Sequence, residues 1–294
     1  MVRAEKNKRL SLRTIPITVW DEFVYGGHFL ALGDAVALNV MAWVLNIEVT
    51  WDFLVVIYLC VFAANLFNRS DESDHDVLTN PVRVKVMEKY TKHFYLVVLS
   101  CLAVSIGLIL YFSNYTALIF AAFIFIIAML YTTVFKKMTK YFVGFKSFVA
   151  AFFYALMVFL LVIYYKAPLN IAAILIFIFY YLRIFISNAA CDVKDIESDK
   201  KRGLKTIAIS LGESRAMKFL NILNIASGIV IIWGVYVSIL PLFSLALLLT
   251  IPYASYYFYL NSKTTSKEIF TNAIVDGEFL LWMPFILIGK LFLL

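Results

Sequence analysis

The chain has 294 residues, of which 63% are hydrophobic and 17% aromatic, and its mean hydropathy is +0.87. These values exclude an ordinary soluble globular protein and indicate a membrane protein with several spans. The formal net charge of +7 is concentrated in particular loops, so we interpret it as a topology signal and expect no nucleic-acid partner. The three cysteines show no CxxC spacing, so neither a disulfide framework nor a zinc site is predicted.

Apolar runs predict about nine transmembrane helices, each near the ~20 residues that a helix needs to cross a bilayer. We expect one integral-membrane domain over 1–294, of which residues 1–18 form a polar cytoplasmic tail. No removable signal peptide is predicted. The predicted spans are 23–45, 52–67, 94–112, 116–135, 147–165, 170–190, 218–239, 240–260 and 271–294.

Lys and Arg residues fix the expected orientation. Nearly all of them fall in the N-terminal tail and in the loops after the second, fourth, sixth and eighth runs. Because positive residues are retained on the cytoplasmic side, the N-terminus and these loops are predicted to be cytoplasmic and the C-terminus to lie outside.

The first predicted span contains two ionisable side chains, His28 and Asp34. A carboxylate near the middle of a membrane costs about 2.5–3.5 kcal/mol on the insertion scale, so Asp34 should face a partner or a wet cavity. A hydrogen-bonded structural Asp34 is an equally good interpretation, and for His28 we favour the structural role.

A first acidic row follows the second span. Asn68, Glu72 and Asp76 are spaced by four residues and therefore share one helix face. Pro81 then ends or turns the helix, and Arg83 follows it.

A second acidic row follows the sixth span. If the helix continues, Asn188, Asp192, Asp195 and Asp199 also share one face. Like charges one turn apart repel each other, and a divalent cation with oxygen ligands would cancel that repulsion. The plainer alternative is a solvated cap that stops the helix from entering lipid.

The two rows lie at the ends of helices four spans apart, on the same side of the membrane. This offset predicts two related four-helix halves plus one helix around a central cavity, with the rows facing each other. Together the rows suit one or two Mg²⁺ ions that bridge an anionic substrate.

These residues resemble the motifs of the UbiA superfamily of intramembrane prenyltransferases. The first motif matches at Asn68, Arg69, Asp76, Pro81 and Arg83, but Glu72 stands where the family usually has Asp, and Asp71 is the alternative to Glu72. The basic loop after the fourth span is similar at Tyr131, Lys136 and Lys137. The second motif matches at Arg183, Asn188, Asp192, Asp195, Glu197, Asp199, Gly203, Thr206, Leu211 and Gly212.

The resemblance implies Mg²⁺-dependent transfer of an isoprenoid chain from a prenyl diphosphate to an aromatic or lipid acceptor in the membrane. It implies catalytic roles for Asp76, Asp192 and Arg183. Diphosphate ligands would be Arg83, Lys136, Lys137 and Lys205. Metal ligands would be Asn68, Glu72 (or Asp71), Asp76, Asn188, Asp192, Asp195 and Asp199.

Three smaller expectations concern the surroundings of this site. A buried Arg183 needs an acidic partner, for which Asp34 is one candidate. The basic segments 77–93 and 204–216 are expected to cap the site as membrane-surface helices. Asp276 and Glu278 could line the same cavity, although a structural role is the safer interpretation.

Two other functions remain open at this stage. A terpene cyclase on the same scaffold would share both motifs, and product analysis without an acceptor would separate it from a transferase. A transporter or cation channel would need ionisable residues along a path to both sides, whereas here they cluster on the predicted cytoplasmic side.

Overall fold

In the computed structural model, which describes residues 18–76, 80–261 and 269–293, all regular structure is helical. A 3₁₀ segment, Leu242–Leu249, precedes the helix that begins at Thr250. Two π-helical turns occupy Tyr131–Phe135 and Phe270–Val275. The helices are α1 Val19–Tyr25, α2 His28–Val44, α3 Trp51–Asp76, α4 Pro81–Thr91, α5 Phe94–Phe112, α6 Tyr115–Met138, α7 Phe145–Tyr164, α8 Ile171–Cys191, α9 Ile196–Lys201, α10 Ile207–Leu211, α11 Glu213–Tyr236, α12 Thr250–Asn261 and α13 Glu278–Phe292.

Seven helices in the described ranges are long and apolar enough to cross a membrane: α3, α5, α6, α7, α8, α11 and the segment Leu242–Leu260. An eighth is reached if α1 and α2, which are bent by 58° at Gly26–Gly27, count as one span. α13 has 15 residues, about 22 Å of helix, which is shorter than the bilayer core. The predicted number of nine is therefore not reached in the described part of the chain.

The helices form a closed ring. Going round it, α2 packs on α3, α3 on α6, α6 on α7, α7 on α8, α8 on α11, α11 on the 3₁₀ segment, and α13 closes the ring between that segment and α2. α5 packs outside on α3 and α6. Small side chains permit the closure: a Cβ at Gly33 of α2 would lie 3.3 Å from the Cβ of Phe279 of α13. The ring leaves a space at its centre, between α2, α3, α7 and α8.

A buried ion pair ties α8 to its neighbours. Arg183 is 0% exposed, and its Nε donates to Glu278 Oε1 at 2.7 Å, with an Nη2 to Oε1 distance of 2.6 Å. Its Nη1 donates to Asn224 and Ser227 of α11, and Tyr257 of α12 donates to the other oxygen of Glu278 at 3.2 Å. One guanidinium thus links α8, α11 and α13.

The suggestion that Asp34 neutralises Arg183 is wrong, because Glu278 is the acidic partner. Asp34 is fully buried on α2, and its Oδ1 accepts a hydrogen bond from the Tyr180 hydroxyl at 2.6 Å. Tyr180 and Arg183 are three residues apart, so α8 contributes both contacts from one face.

We predict that Glu278→Ala lowers the free energy of unfolding of the purified protein by about 3–5 kcal/mol, because it leaves a buried guanidinium without a counter-charge. The double variant Arg183→Met/Glu278→Leu should be markedly more stable than Glu278→Ala, since it removes both charges and keeps apolar volume. Thermal unfolding in detergent measures both. Equal losses for the single and the double variant would contradict the assigned role of the pair.

Candidate active site

The central space consists of two joined chambers. A polar chamber of about 170 Å³ lies where α3 and α8 end, and an apolar chamber of about 190 Å³ lies beside it between α3, α6 and α7. Six of the lining residues are shared by the two chambers: Leu30, Asn65, Asn68, Tyr131, Tyr154 and Asn188.

The apolar chamber runs along the membrane-spanning part of the bundle. On α3 its lining extends from Asn68 to Ile57, and on α7 from Ala150 to Leu160. At 1.5 Å per residue, either distance is about 15 Å. The joined chambers therefore match an amphiphile, with a polar head at one end and a long apolar tail at the other.

The described lining of the polar chamber carries an excess of positive charge. It includes five basic side chains and three carboxylates, so their field favours an anionic ligand. The basic residues are Arg69, Arg83, Lys136, Lys146 and Lys194, and the acidic ones are Asp192, Asp195 and Asp276.

The first acidic row reaches this chamber through Asn68. Its Oδ1 accepts hydrogen bonds from Thr132 Oγ1 and Lys136 Nζ, each at 3.4 Å. The backbone of α3 continues to Asp76, but the side chains of Asp71, Glu72 and Asp76 lie outside the described part. Whether Glu72 or Asp71 takes the middle position of the motif thus stays a prediction.

The second acidic row is held by two lysines and a serine. Lys146 Nζ lies 3.0 Å from Asp192 Oδ1 and 2.6 Å from Asp199 Oδ2. Ser147 Oγ donates to Asp192 Oδ2 at 2.9 Å, and Lys194 pairs with Asp195 Oδ2 at 2.7 Å. Burial raises the pKa of Asp192 to about 6, although Lys146 acts in the opposite direction.

The prediction that this row continues one helix is wrong. α8 ends at Cys191, residues 192–195 form a turn, and α9 begins at Ile196. The turn is closed by the Asp195 N–H, which donates to the Asp192 carbonyl oxygen at 3.2 Å. Three carboxylates on one continuous helix face would repel each other, and the turn lets Lys146 contact two of them, Asp192 and Asp199.

A π turn sorts the neighbouring lysines Lys136 and Lys137. The Lys136 N–H donates to the carbonyl oxygen of Tyr131, five residues back, so the helix accommodates one extra residue here. As a result Lys136 is buried and lines the polar chamber together with Tyr131, whereas Lys137 is exposed.

The remaining candidates divide between the chamber and the outside. Arg83, on the capping helix α4, lines the polar chamber. Lys205 is exposed and does not line it, although its backbone bonds Thr139 and Gly144. Arg183 does not line it either, because its guanidinium is committed to Glu278, so we assign it a structural role.

The polar chamber contains three residues that were not predicted to be ligands. Lys146 and Lys194 belong to the loop lysines that predicted the orientation, and Asp276 was expected to have mainly a structural role. A second π turn, in which the Asp276 N–H donates to the Thr271 carbonyl oxygen at 3.3 Å, brings Asp276 to the chamber. Of these three residues, Lys194 is the one that the sequence could have indicated, because it lies inside the second motif.

The oxygen donors around the chamber fit a hard divalent cation. No group of three or more His, Cys, Asp or Glu side chains is preassembled in the described ranges. Asp195 Oδ1, however, is buried and has no hydrogen-bond partner, and the same holds for the amide nitrogen of Asn188. The nitrogen and oxygen of an Asn amide are interchanged by a simple flip, so Asn188 can equally present its oxygen. Carboxylate and amide oxygens are the donors that Mg²⁺ and Ca²⁺ prefer.

Known structures have a similar overall fold. The structure is similar to the apo structure of a UbiA homolog from Aeropyrum pernix K1, with a TM-score of 0.68 and 16% identity, over 90% of this chain and 97% of that one. It is also similar to a UbiA homolog from Archaeoglobus fulgidus bound to GPP and Mg²⁺, with a TM-score of 0.66 and 17% identity over 92% and 98% of the two chains.

A third similar structure is that of a digeranylgeranylglyceryl phosphate synthase, with a TM-score of 0.56 and 18% identity over 92% and 97% of the chains. No individually curated protein is close enough in sequence to count as a match. The profile of the UbiA prenyltransferase family matches residues 23–283. The chain therefore belongs to the UbiA prenyltransferase family of integral membrane enzymes.

Proposed function

We propose that the protein transfers an isoprenoid chain from a prenyl diphosphate to an aromatic or lipid acceptor in the membrane, with Mg²⁺, and releases diphosphate. The observation that carries this proposal is the joined pair of chambers, one basic and polar and the other apolar, that share Asn68 and Asn188 at their junction.

The basic side chains of the polar chamber are placed to bind the diphosphate. Lys136 and Arg83 approach it from α6 and α4, and Lys194 lies beside the second row. The isoprenoid tail would extend into the apolar chamber towards Ile57 and Leu160. GPP and Mg²⁺ in the Archaeoglobus homolog support this class of substrate.

Mg²⁺ would be held by oxygens from both rows. The described candidates are Asn68, Asn188, Asp192, Asp195 and Asp199, and Glu72 (or Asp71) and Asp76 would complete the set from α3. Bound Mg²⁺ supplies positive charge that stabilises the departing diphosphate.

The chain's own groups would favour cleavage of the allylic C1–O bond. The electron pair of that bond leaves with the diphosphate, and Lys136 and Arg83 stabilise the added negative charge. Tyr131 and Tyr154 line both chambers, so their rings are available to the carbon that becomes positive. The acceptor's nucleophilic atom then bonds to C1 and loses its proton to solvent or a carboxylate of the chamber.

Three further features belong to this proposal. The acceptor class would be aromatic or lipid, and the similarity to a digeranylgeranylglyceryl phosphate synthase favours a lipid. The fold would comprise nine spans in two four-helix halves plus one helix, with α13 and its preceding π turn as the ninth. The N-terminus and the polar chamber would face the cytoplasm, with the C-terminus outside, as the Lys and Arg distribution indicates.

The proposal is tested by diphosphate release from prenyl diphosphates of different lengths, with and without Mg²⁺ and a membrane lipid extract as acceptor pool. We expect Mg²⁺-dependent release and a prenylated acceptor, both lost in Asp76→Asn and Asp192→Asn. Release of diphosphate with a cyclised product and no acceptor would instead indicate a cyclase. No release with any chain length, together with no binding of Mg²⁺, would refute the enzyme assignment.

We predict that Lys136→Gln weakens binding of a prenyl diphosphate about 10- to 100-fold, because a charge-assisted hydrogen bond contributes about 1.5–3 kcal/mol. The adjacent variant Lys137→Gln should bind like the wild type, since its side chain is exposed outside the chamber. Isothermal titration with both variants measures the difference. Equal effects of the two substitutions would show that the π turn does not select Lys136.

We also predict that the affinity for Mn²⁺, used as a probe for Mg²⁺, falls as the pH decreases through about 6, the raised pKa of Asp192. Protonation of Asp192 removes a negative charge that a cation needs. Because this pKa is higher in the folded protein than in an unfolded chain, the proton does not destabilise the fold through Asp192. Mn²⁺ titrations above and below that pKa, with thermal unfolding as control, check this; unchanged affinity would contradict it.

A further inference from the structure

Lys146 occupies the position at the second acidic row where a cation would bridge two carboxylates. It is the second residue of α7, its side chain is 10% exposed, and its ammonium contacts Asp192 and Asp199 simultaneously. These carboxylates come from different segments, the turn after α8 and the helix α9. The lysine therefore joins α7 to both arms of the second motif.

Two further oxygens of the row are bound by neighbouring side chains. Ser147 donates to the second oxygen of Asp192, and Lys194 pairs with one oxygen of Asp195. Asp195 Oδ1 is the buried carboxylate oxygen of the described row that has no hydrogen-bond partner. Asp195, which lines the chamber together with Asn188, thus offers a carboxylate oxygen that is buried and unpartnered.

We propose that the Lys146 ammonium takes the place of a second Mg²⁺, so that this enzyme binds its prenyl diphosphate with a single divalent ion. The inference rests on the proposed function and narrows its metal requirement from one or two ions to one. Among the described residues, the single ion would lie between Asp195, Asn188 and Asn68, which line the same chamber.

Charge balance within the second acidic row supports a single ion there. Three carboxylates of the second row face two ammonium groups, which leaves one net negative charge for a divalent ion to neutralise. Before a diphosphate binds, a second divalent ion at Asp192 and Asp199 would have to displace Lys146 into a chamber whose described charged side chains are mostly basic. A buried ammonium that loses both counter-charges is strongly disfavoured.

The experiment counts bound Mn²⁺ by electron paramagnetic resonance, with the metal alone and with a prenyl diphosphate analogue in which sulfur replaces the bridging oxygen. The variants are Lys146→Met, which removes the charge, and Lys146→Arg, which keeps it. Lys140→Met, at an exposed lysine of the same loop, is the matched control. Thermal unfolding reports whether each variant is folded.

We expect one Mn²⁺ per chain in the wild type, Lys146→Arg and Lys140→Met, and two in Lys146→Met, with spin coupling between the two ions. The Mg²⁺ dependence of diphosphate release should become sigmoidal only in Lys146→Met. Two ions in the wild type would overturn the inference, and so would one ion in a folded Lys146→Met. If Lys146→Met does not fold, the wild-type count and Lys146→Gln decide.

Failure of this inference is distinguishable from failure of the proposed function. Two ions in a wild type that still releases diphosphate overturn the single-ion inference alone. A wild type that binds no Mn²⁺ overturns the inference, and the absence of diphosphate release in the same preparation would overturn the proposed function as well.

Discussion

Charges buried inside an apolar helical bundle must be neutralised within the protein, because neither lipid nor bulk water can do it. Two ion-paired groups on α8 and the turn after it meet this requirement in different ways. Arg183 and Glu278 form a closed pair with 0% exposure, do not line the cavity, and tie α8 to α13. Lys146 and the second acidic row form an open group at the cavity wall. The first group stabilises the ring of helices, and the second places charged side chains in the lining of the central polar chamber.

The separation of these two groups explains how one bundle can be both rigid and chemically active. The ring encloses a chamber whose basic side chains favour an anion, and the same helices α3 and α7 continue as the wall of an apolar chamber. Under the proposed function, the polar head and the apolar tail of the substrate would lie at different levels along the helix axes. Asn68 and Asn188, at the junction, are amides that can serve either part without adding charge.

Composition and spacing predicted the class of protein, and family membership confirms it. They also predicted that Asn68 and Asn188 lie at the ends of helices that meet at one cavity. Contacts between distant parts of the chain could not be predicted. Arg183 pairs with Glu278, which lies 95 residues further along the chain. Lys146 pairs with Asp192 although 45 residues separate them in the sequence. The break at Asp192 was not predicted, because residue spacing cannot show that Lys146, from a distant helix, lies between these carboxylates and relieves their repulsion.

The π turn at Tyr131–Phe135 has a consequence for comparing this chain with its relatives. A helix that absorbs an extra residue keeps its downstream face in place while the numbering shifts by one. Aligned by fixed spacing from Tyr131, a relative without the insertion would match its inward-facing lysine to Phe135. Superposition of the backbones would match it to Lys136. Substrate-binding positions on this helix should therefore be transferred between homologues through three-dimensional alignment rather than through residue counting.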